Sequence, residues 1–215
     1  MRHRNRVALL LGCITSFAAF ASADVKEGMY VLSDGKVRFV CEGPAVTVPA
    51  WGAFGTVEGA LSLNPVDLST ASGNIDVFMV SIRTDDAAWD TMFRRAGFLE
   101  IDDNPKSRFV VEKVRGAKKL VQGKWVPMTL EGRFTLHGVT RKITVPATAR
   151  WSPADPASEK SEQIHVRASF HITWEEYEIA MPTGQTRTFA GDGALVHVDL
   201  EYAPSLKSSR ARRRR

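Results

Sequence analysis

The chain has 215 residues, of which 44% are hydrophobic and 25% charged. This composition is that of a globular protein and excludes a disordered chain or a membrane protein with many spans. The formal net charge is +5, but three arginines among the first six residues and six basic residues among the last nine account for nine positive charges. Residues 24–206 therefore carry a net charge of −4, which argues against a nucleic-acid-binding domain.

The first 23 residues have the layout of a secretory signal peptide. The basic stretch MRHRNR precedes the apolar run VALLLGCITSFAAF, and the small residues Ala21–Ala23 follow. We therefore expect export, with cleavage after Ala23. The alternative is a lipoprotein in which Cys13, within LLGC, becomes the lipidated N-terminus. Its apolar core would then be only Val7–Leu11, which is short for a signal.

From Asp24 onward most segments alternate apolar and polar residues with period two. This pattern is typical of an antiparallel sheet with one face in water. It is clearest in IHVRASFHITW and ALVHVDLEY, near the end of the chain. The segment YVLSDGKVRFV is predicted to be a hairpin that turns at Asp34–Gly35. The segment GNIDVFMVSIRT is apolar on both faces from Val77 to Val80 and is predicted to be covered on both sides.

The segment DDAAWDTMFRRAG predicts one short helix. Trp89, Met92, Phe93 and Ala96 fall at i, i+3, i+4 and i+7 and form one apolar stripe, and Gly97 is placed to end the helix. The stripe is predicted to pack on the sheet as a lid. No break in composition divides residues 24–203, so we predict one all-β domain over residues 24–205. The expected fold is a single antiparallel barrel of about eight strands, because closure removes the sheet edges.

Residues 206–215 predict a basic, solvated tail without fixed structure. Contact between this tail and an anionic membrane surface is the functional alternative. After cleavage at Ala23 only Cys41 remains, so the mature chain cannot form an intramolecular disulfide. Cys41 shares a strand face with Val37 and Phe39, which predicts a buried thiol inside the barrel. A reactive thiol, or one that pairs two copies as a homodimer, is the alternative.

The four histidines of the mature chain all lie in the polar phase of predicted strands. His165 and His171 are separated by six residues, roughly 20 Å at strand rise, so they cannot bind one metal ion together. His137, in LEGRFTLHGVTRKITVPA, is predicted to lie on the solvent side of a strand or at the barrel rim. The sequence has no metalloprotease, serine-hydrolase or phosphate-loop motif. We therefore predict no catalytic residue, no metal site and no cofactor. The alternatives are a metal ion held by a cross-strand pair such as His137 with His171, whose register the sequence does not give, and, weakest, an enzyme that uses His137.

Several segments resemble one protein family in order along the chain. LEGRFTLHGVTRKITVPA resembles the G-x-L-T-L-H-G-V-T-K-x-V segment of the YceI-like proteins, which are exported bacterial lipid-binding barrels. VEGALSLNPVDLSTASGNIDVFMVSIRT, WDTMFRRAGFLEIDDNPKSRF, ASFHITWEEYEI and GDGALVHVDLEY resemble further parts of the family, so roughly residues 28–203 are covered. In this chain Trp89 and Phe93 replace polar or charged neighbours in the helix, and Trp174 replaces the usual arginine. This region is therefore more apolar than in the family.

The resemblance implies a lipocalin-like β-barrel and a periplasmic, non-catalytic carrier of a long-chain amphiphile. A polyisoprenoid, a quinone-like lipid or a fatty-acid derivative would suit an eight-stranded barrel, which can hold one ligand. Burying ~10 methylenes contributes roughly 8 kcal/mol before the ordering costs. We expect the ligand to contact Phe39, Trp89, Phe93, Phe98, Met128, Leu130, Phe134, Leu136, Phe170, Ile172 and Trp174. The alternative is an interaction protein whose barrel is filled by side chains and whose basic tail binds anionic surfaces.

Overall fold

The structure is a computed structural model, and it describes residues 28–63, 67–94, 97–154, 161–180 and 183–205. The predicted signal peptide at residues 1–23, Cys13, Ala96 and the basic tail at residues 206–215 lie outside these described residues. What was predicted for them stays a prediction.

The described residues form ten strands and two short α-helices. The strands are β1 (Gly28–Glu42), β2 (Trp51–Phe54), β3 (Val57–Leu63), β4 (Ser72–Phe78), β5 (Ile82–Thr84), β6 (Lys106–Arg115), β7 (Val126–Leu136), β8 (Val139–Ser152), β9 (Gln163–Thr173) and β10 (Gly193–Pro204). The helices are α1 (Ala87–Arg94) and α2 (Arg187–Ala190), of which only α1 was predicted. No helix in the described ranges is long and apolar enough to cross a membrane.

Eight of the strands close into an antiparallel barrel. Their order is β10-β9-β8-β7-β6-β4-β3-β1, and β1 pairs with β10 to complete the ring. The predicted fold class is therefore confirmed. We call the end that holds the β7–β8 turn at His137 and Gly138 the turn end. The opposite end, where β1 begins at Gly28 and β10 finishes at Pro204, is called the termini end.

The predicted hairpin at Asp34–Gly35 is wrong, because β1 runs without a turn from Gly28 to Glu42. Both halves of β1 pair with β10, and the register shifts between Leu32 and Asp34. The extra residue, Ser33, donates its hydroxyl to the Glu201 carbonyl at 3.0 Å. Gly35 does not adopt the positive φ of a tight turn. Pairing along the whole of β10 leaves fewer backbone N–H and C=O groups without a hydrogen bond than a two-residue turn would. The chain therefore forms a bulge at this position instead of a turn.

The prediction that residues Val77 to Val80 are covered on both sides is wrong for Val80. Strand β4 stops at Phe78, and Met79–Ser81 form a 3₁₀ turn. This turn breaks the strand alternation, so Met79 is buried whereas Val80 is 60% exposed. The turn leads into β5, which pairs with β2 beside the barrel, and β5 leads into α1 at the turn end.

Strands β8 and β9 pair only over part of their length. Their ladder runs from Ser152 to Ala147 on β8, and residues 139–146 pair with β7 alone. Pro146 stands where the ladder stops, and proline has no N–H to donate to a neighbouring strand. The 3₁₀ turn after β9 lies beside this free part of β8, since Arg141 donates from Nε to the Glu176 carbonyl at 2.9 Å. The next residue, Tyr177, packs its ring edge against Phe134 at 5.5 Å.

Candidate functional site

An apolar cavity of about 160 Å³ occupies the inside of the barrel. It extends from Leu68 and Leu120 near the termini end to Phe93 and Trp174 near the turn end. Engineered apolar cavities of about 150 Å³ stay dry and admit a benzene-sized molecule. The barrel is therefore hollow, with room for one segment of a hydrocarbon chain rather than for several chains side by side.

The cavity wall is built by the inward phase of the barrel strands, because successive side chains of a strand point to opposite faces. Strands β7, β9 and β10 each contribute at every second position. Their wall residues are Met128, Leu130, Phe134, Leu136, Ile164, Val166, Ala168, Phe170, Ile172, Ala194, Val196, Val198, Leu200 and Tyr202.

Nine of the eleven predicted ligand-contact residues lie on this wall. They are Phe39, Phe93, Met128, Leu130, Phe134, Leu136, Phe170, Ile172 and Trp174. The structure thus brings together residues from four parts of the chain that are far apart in sequence, namely β1, α1, β7 and β9 with the Trp174 that follows it. Contact between these side chains and a ligand stays a prediction.

The other two predicted residues, Trp89 and Phe98, do not line the cavity. Trp89 is half-buried against the core, and its ring packs against Phe189 at 5.2 Å. Phe98 is buried behind the wall, between Phe93 and Trp174. An eight-residue helix that lies on a barrel end presents only part of its apolar stripe to the interior. The stripe therefore identified the apolar face of the helix. Sequence spacing, however, could not tell that Phe93 would line the cavity and Trp89 would not.

A row of aromatic rings covers the cavity at the turn end. Phe93 of α1 packs edge-on against Phe39 of β1 at 5.4 Å, and Phe98 packs edge-on against Trp174 at 5.3 Å. The Trp174 indole donates from Nε1 to the Ala190 carbonyl at 3.0 Å, which fixes the ring. Helix α1 is itself fixed at its start by Asp86, whose side chain accepts from the Ala88 N–H at 2.7 Å.

A buried polar cluster lies at the termini end. The Glu162 carboxyl accepts from the Tyr30 hydroxyl at 3.2 Å and from the Trp151 indole at 3.0 Å. All three side chains are buried. Burial, and then the nearby Glu162 charge, raise the pKa of Tyr30, so its hydroxyl remains a neutral donor. None of the three lines the cavity, so the cluster adds no polar group to the wall.

The wall itself carries few polar groups. Ser107 is buried and donates its hydroxyl to the Thr135 carbonyl at 2.9 Å, and the Trp174 N–H is likewise bonded. Ser72 stands exposed at the start of β4. The fourth group is the Tyr202 phenol. Among the residues that the structure describes, the wall includes no Lys, Arg, His, Asp or Glu.

His137 lies in the turn between β7 and β8, at the rim, with a positive φ of 51°. Its side chain is only 13% exposed, so it is not a solvent-side residue. Nδ1 lies 3.2 Å from the Tyr177 carbonyl, and Nε2 lies 3.2 Å from a Glu100 oxygen. The Gly97 N–H and then His137 hold the pKa of the Glu100 carboxyl below its usual value. These contacts tie the rim together outside the cavity.

The other histidines lie on the outer barrel face. His165 is bonded to Asp199, and His171 lies 2.9 Å from a Glu42 oxygen. No group of three or more His, Cys, Asp or Glu side chains that could hold a metal ion occurs in the described part of the chain.

Cys41 is 1% exposed, as its strand phase predicted. Burial, together with the neighbouring Glu42 charge, raises the pKa of its thiol to about 12. A disulfide between two copies would require this side chain to leave the interior.

Sequence reasoning missed several wall residues. Leu68 and Leu120 lie in connecting segments, which have no periodicity to mark them, and they meet because the Leu68 N–H donates to the Lys118 carbonyl. Tyr202 was assigned to the apolar face of its strand, and that alternation did place it inward. Its phenol, however, was not recognised as a separate chemical feature of the interior.

Comparison with known proteins gives one family. The model of the YceI-like domain matches residues 32–202. A UPF0312 protein of Serratia proteamaculans is 26% identical over 151 residues, 69% of this chain and 71% of that protein. A UPF0312 protein of Pseudomonas savastanoi pv. phaseolicola is 27% identical over 160 residues, 73% of this chain and 78% of that protein.

Solved structures show the same fold at lower identity. The crystal structure of Burkholderia cenocepacia BcnA superposes with a TM-score of 0.62 at 18% identity, over 78% of this chain and 95% of that one. A polyisoprenoid binding domain from Saccharophagus degradans, described as implicated in plant cell wall breakdown, gives a TM-score of 0.63 at 15% identity over 84% and 100% of the two chains. Since the family match extends over most of the chain and the barrel agrees with it, the protein belongs to the YceI-like domain family.

Proposed function

We propose that the protein is a non-catalytic carrier that binds one long-chain amphiphile inside the barrel, in the first place a polyisoprenoid. The observation that carries this proposal is the apolar cavity of about 160 Å³ that runs inside the barrel from the termini end toward the turn end. A hydrocarbon chain gains roughly 0.8 kcal/mol for each methylene that it buries, so a chain of modest length binds without a charged anchor.

The structural relatives support the choice of ligand class. The domain from Saccharophagus degradans is described as polyisoprenoid binding, and it shares the barrel with this chain at 15% identity. A quinone-like lipid or a fatty-acid derivative has the same apolar chain and stays within the proposal.

The chemistry of the wall supports a binding role rather than catalysis. General acid–base catalysis needs a group that can take up or release a proton beside the substrate. The described part of the wall includes no carboxylate, histidine or lysine, and the phenol of Tyr202 is held neutral by burial. A molecule inside the cavity would therefore contact carbon and, at a few points, neutral donors.

We also propose that the carrier works in the periplasm and that its basic tail contacts anionic lipid. Both proposals rest on sequence, namely the signal-like residues 1–23 and the basic residues in 207–215. Deletion of residues 207–215 should remove salt-sensitive binding to vesicles that contain anionic lipid, and it should leave the thermal midpoint unchanged. Equal vesicle binding by the full-length and shortened proteins would show that the tail is not a membrane contact.

The direct test of the carrier function is the lipid content of the protein. Native mass spectrometry of protein purified from its own compartment should show a bound mass, and extraction should release a prenyl, quinone or fatty-acid lipid. Delipidated protein should then take up a polyprenol in a fluorescence displacement assay.

A pair of variants separates the cavity from the outer surface. Phe170→Trp narrows the cavity, and we expect it to weaken polyprenol binding about tenfold or more with only a modest change in stability. His171→Trp adds the same ring to the outer face of β9 and should bind as the wild type does. A wild-type protein that carries no extractable lipid and takes up no polyprenol, quinone or fatty acid would overturn the proposal and favour the interaction protein.

A further inference from the structure

The Tyr202 phenol is buried inside the apolar barrel. Tyr202 is 1% exposed and lines the cavity from β10. Its hydroxyl oxygen lies 3.5 Å from the position that a Cβ would occupy at Gly59 of β3. Gly59 shares the inward face of β3 with Leu61 and Leu63, which also line the cavity. The ring therefore reaches across the inner side of β1 to β3, and a glycine there leaves room for the hydroxyl.

This hydroxyl has no hydrogen-bond partner among the described residues. Desolvation alone raises the pKa of Tyr202, with no contribution from a neighbouring charge or hydrogen bond. The group is therefore a neutral O–H donor at any physiological pH. Buried tyrosine hydroxyls usually find a partner, and leaving one unpaired is destabilising. Tyr30 shows the usual case, because its hydroxyl donates to Glu162 at 3.2 Å.

No other buried group on the described wall can take this role. The Ser107 hydroxyl donates to the Thr135 carbonyl, and the Trp174 N–H donates to the Ala190 carbonyl. A ligand oxygen placed beside Tyr202 would accept a hydrogen bond from the phenol, so that neither group would be left without a partner. A charged ligand group would not find an opposite charge there, because none of the described wall residues is cationic and burying an unpaired charge is costly.

We propose that Tyr202 is a specificity-determining residue that donates a hydrogen bond to a neutral oxygen of the bound lipid. The inference rests on the proposed carrier function and deepens it. The cavity would select an uncharged, oxygen-bearing lipid, such as an alcohol or a quinone, over both a hydrocarbon and an anionic lipid. Tyr202 lies two residues before Pro204, the end of β10, so the ligand oxygen lies toward the termini end and its chain extends toward Phe93.

Three probes with one C20 prenyl skeleton test the proposal on the full-length protein. They are geranylgeraniol, the corresponding hydrocarbon and geranylgeranoic acid. The wild type should bind the alcohol about fivefold to tenfold more tightly than the hydrocarbon, the range expected for one hydrogen bond. At pH 8 it should bind the acid more weakly than the alcohol.

Tyr202→Phe keeps the ring and removes only the hydroxyl. It should lose the preference for the alcohol, keep its affinity for the hydrocarbon, and unfold at the same temperature as the wild type or a higher one. Tyr30→Phe is the matched control, because its hydroxyl is bonded to Glu162 outside the cavity. It should keep the alcohol preference and lose thermal stability.

The outcomes separate the two proposals. Binding of none of the three probes would overturn the carrier function and this inference with it. Equal binding of alcohol and hydrocarbon by the wild type, or an alcohol preference that survives in Tyr202→Phe, would overturn the inference alone. Tighter binding of the acid than of the alcohol would do the same. The wild-type comparison decides the point even if Tyr202→Phe does not fold.

Discussion

Replacing Ala168 by phenylalanine should stabilise the ligand-free protein and abolish lipid binding. Ala168 lies on β9, where it pairs with Ala147 of β8 and Val198 of β10, and it lines the cavity. A side chain added here points into empty space bounded by apolar residues. The variant Ala168→Phe would therefore place a benzene-sized ring where the proposed ligand chain lies.

The size of the effect follows from the cavity volume. At about 24 cal/mol per Å³, a cavity of about 160 Å³ costs the ligand-free protein about 4 kcal/mol. A phenyl ring that fills roughly half of the space should recover about 2 kcal/mol. For a chain of this size, the thermal midpoint should then rise by about 4–8 °C.

The measurement is urea unfolding and thermal unfolding of delipidated wild-type and variant proteins, followed by polyprenol titration. Ser169→Phe serves as the control, because it adds the same ring on the outer face of β9 and should bring no gain in stability. If Ala168→Phe instead destabilises the protein by ~1–3 kcal/mol, the interior is already filled and the ring is overpacked. If the variant is stabilised and still binds polyprenol with wild-type affinity, the lipid binds elsewhere.

Three further predictions address the rest of the barrel. Cys41 should react with a thiol reagent at pH 8 only after unfolding, measured in a background that lacks the other cysteine, because burial raises the pKa of its thiol to about 12. Gly52→Ala should destabilise the fold, because a Cβ there would lie 2.5 Å from the Arg83 carbonyl oxygen and 2.9 Å from the Phe39 ring. Gly28→Ala meets no atom within 4 Å and should be neutral; denaturant midpoints give the comparison. Partial burial opposes ionisation of Asp199, but hydrogen bonds and charges from His165 and Arg167 outweigh it and lower the pKa of Asp199 below 3.8. The ionised Asp199 carboxylate therefore contributes its full stabilisation above pH 3.8, and this contribution is lost as the pH falls through the lower pKa of the folded state. In a plot of the free energy of unfolding against pH, Asp199→Asn should therefore lose less stability at acid pH than the wild type does.

Much of the fold could be predicted because strand alternation is a local property. In β9, the apolar residues Ile164 to Ile172 stand at even positions and all line the cavity. The same reasoning placed Cys41 in the interior and assigned His171 to the outer face. Each of these assignments depends on the residue and its near neighbours in the chain, and a period of two admits only two faces.

The errors arose where distant parts of the chain decide a local outcome. Asp34–Gly35 has the composition of a tight turn, yet pairing with β10, some 165 residues later, makes β1 continue past it with only a bulge. Trp89 and Phe93 belong to one helical stripe, but the way α1 packs on the barrel end places Phe93 at the cavity and Trp89 against Phe189. The apolar stripe of a helix does not predict the angle at which the helix packs against its neighbours.

The sequence by itself determined the antiparallel barrel, the inward faces of its main strands and the resemblance to the YceI-like family. Only the tertiary structure decided that the barrel is hollow and that the Tyr202 hydroxyl inside it has no hydrogen-bond partner in the described ranges. The physical reason is that a cavity is a small difference between the volume enclosed by eight strands and the volume of the side chains within it. That difference depends on the register and shear of every strand pair. It also depends on glycines such as Gly59, which leaves room for the Tyr202 ring on the inner side of β3.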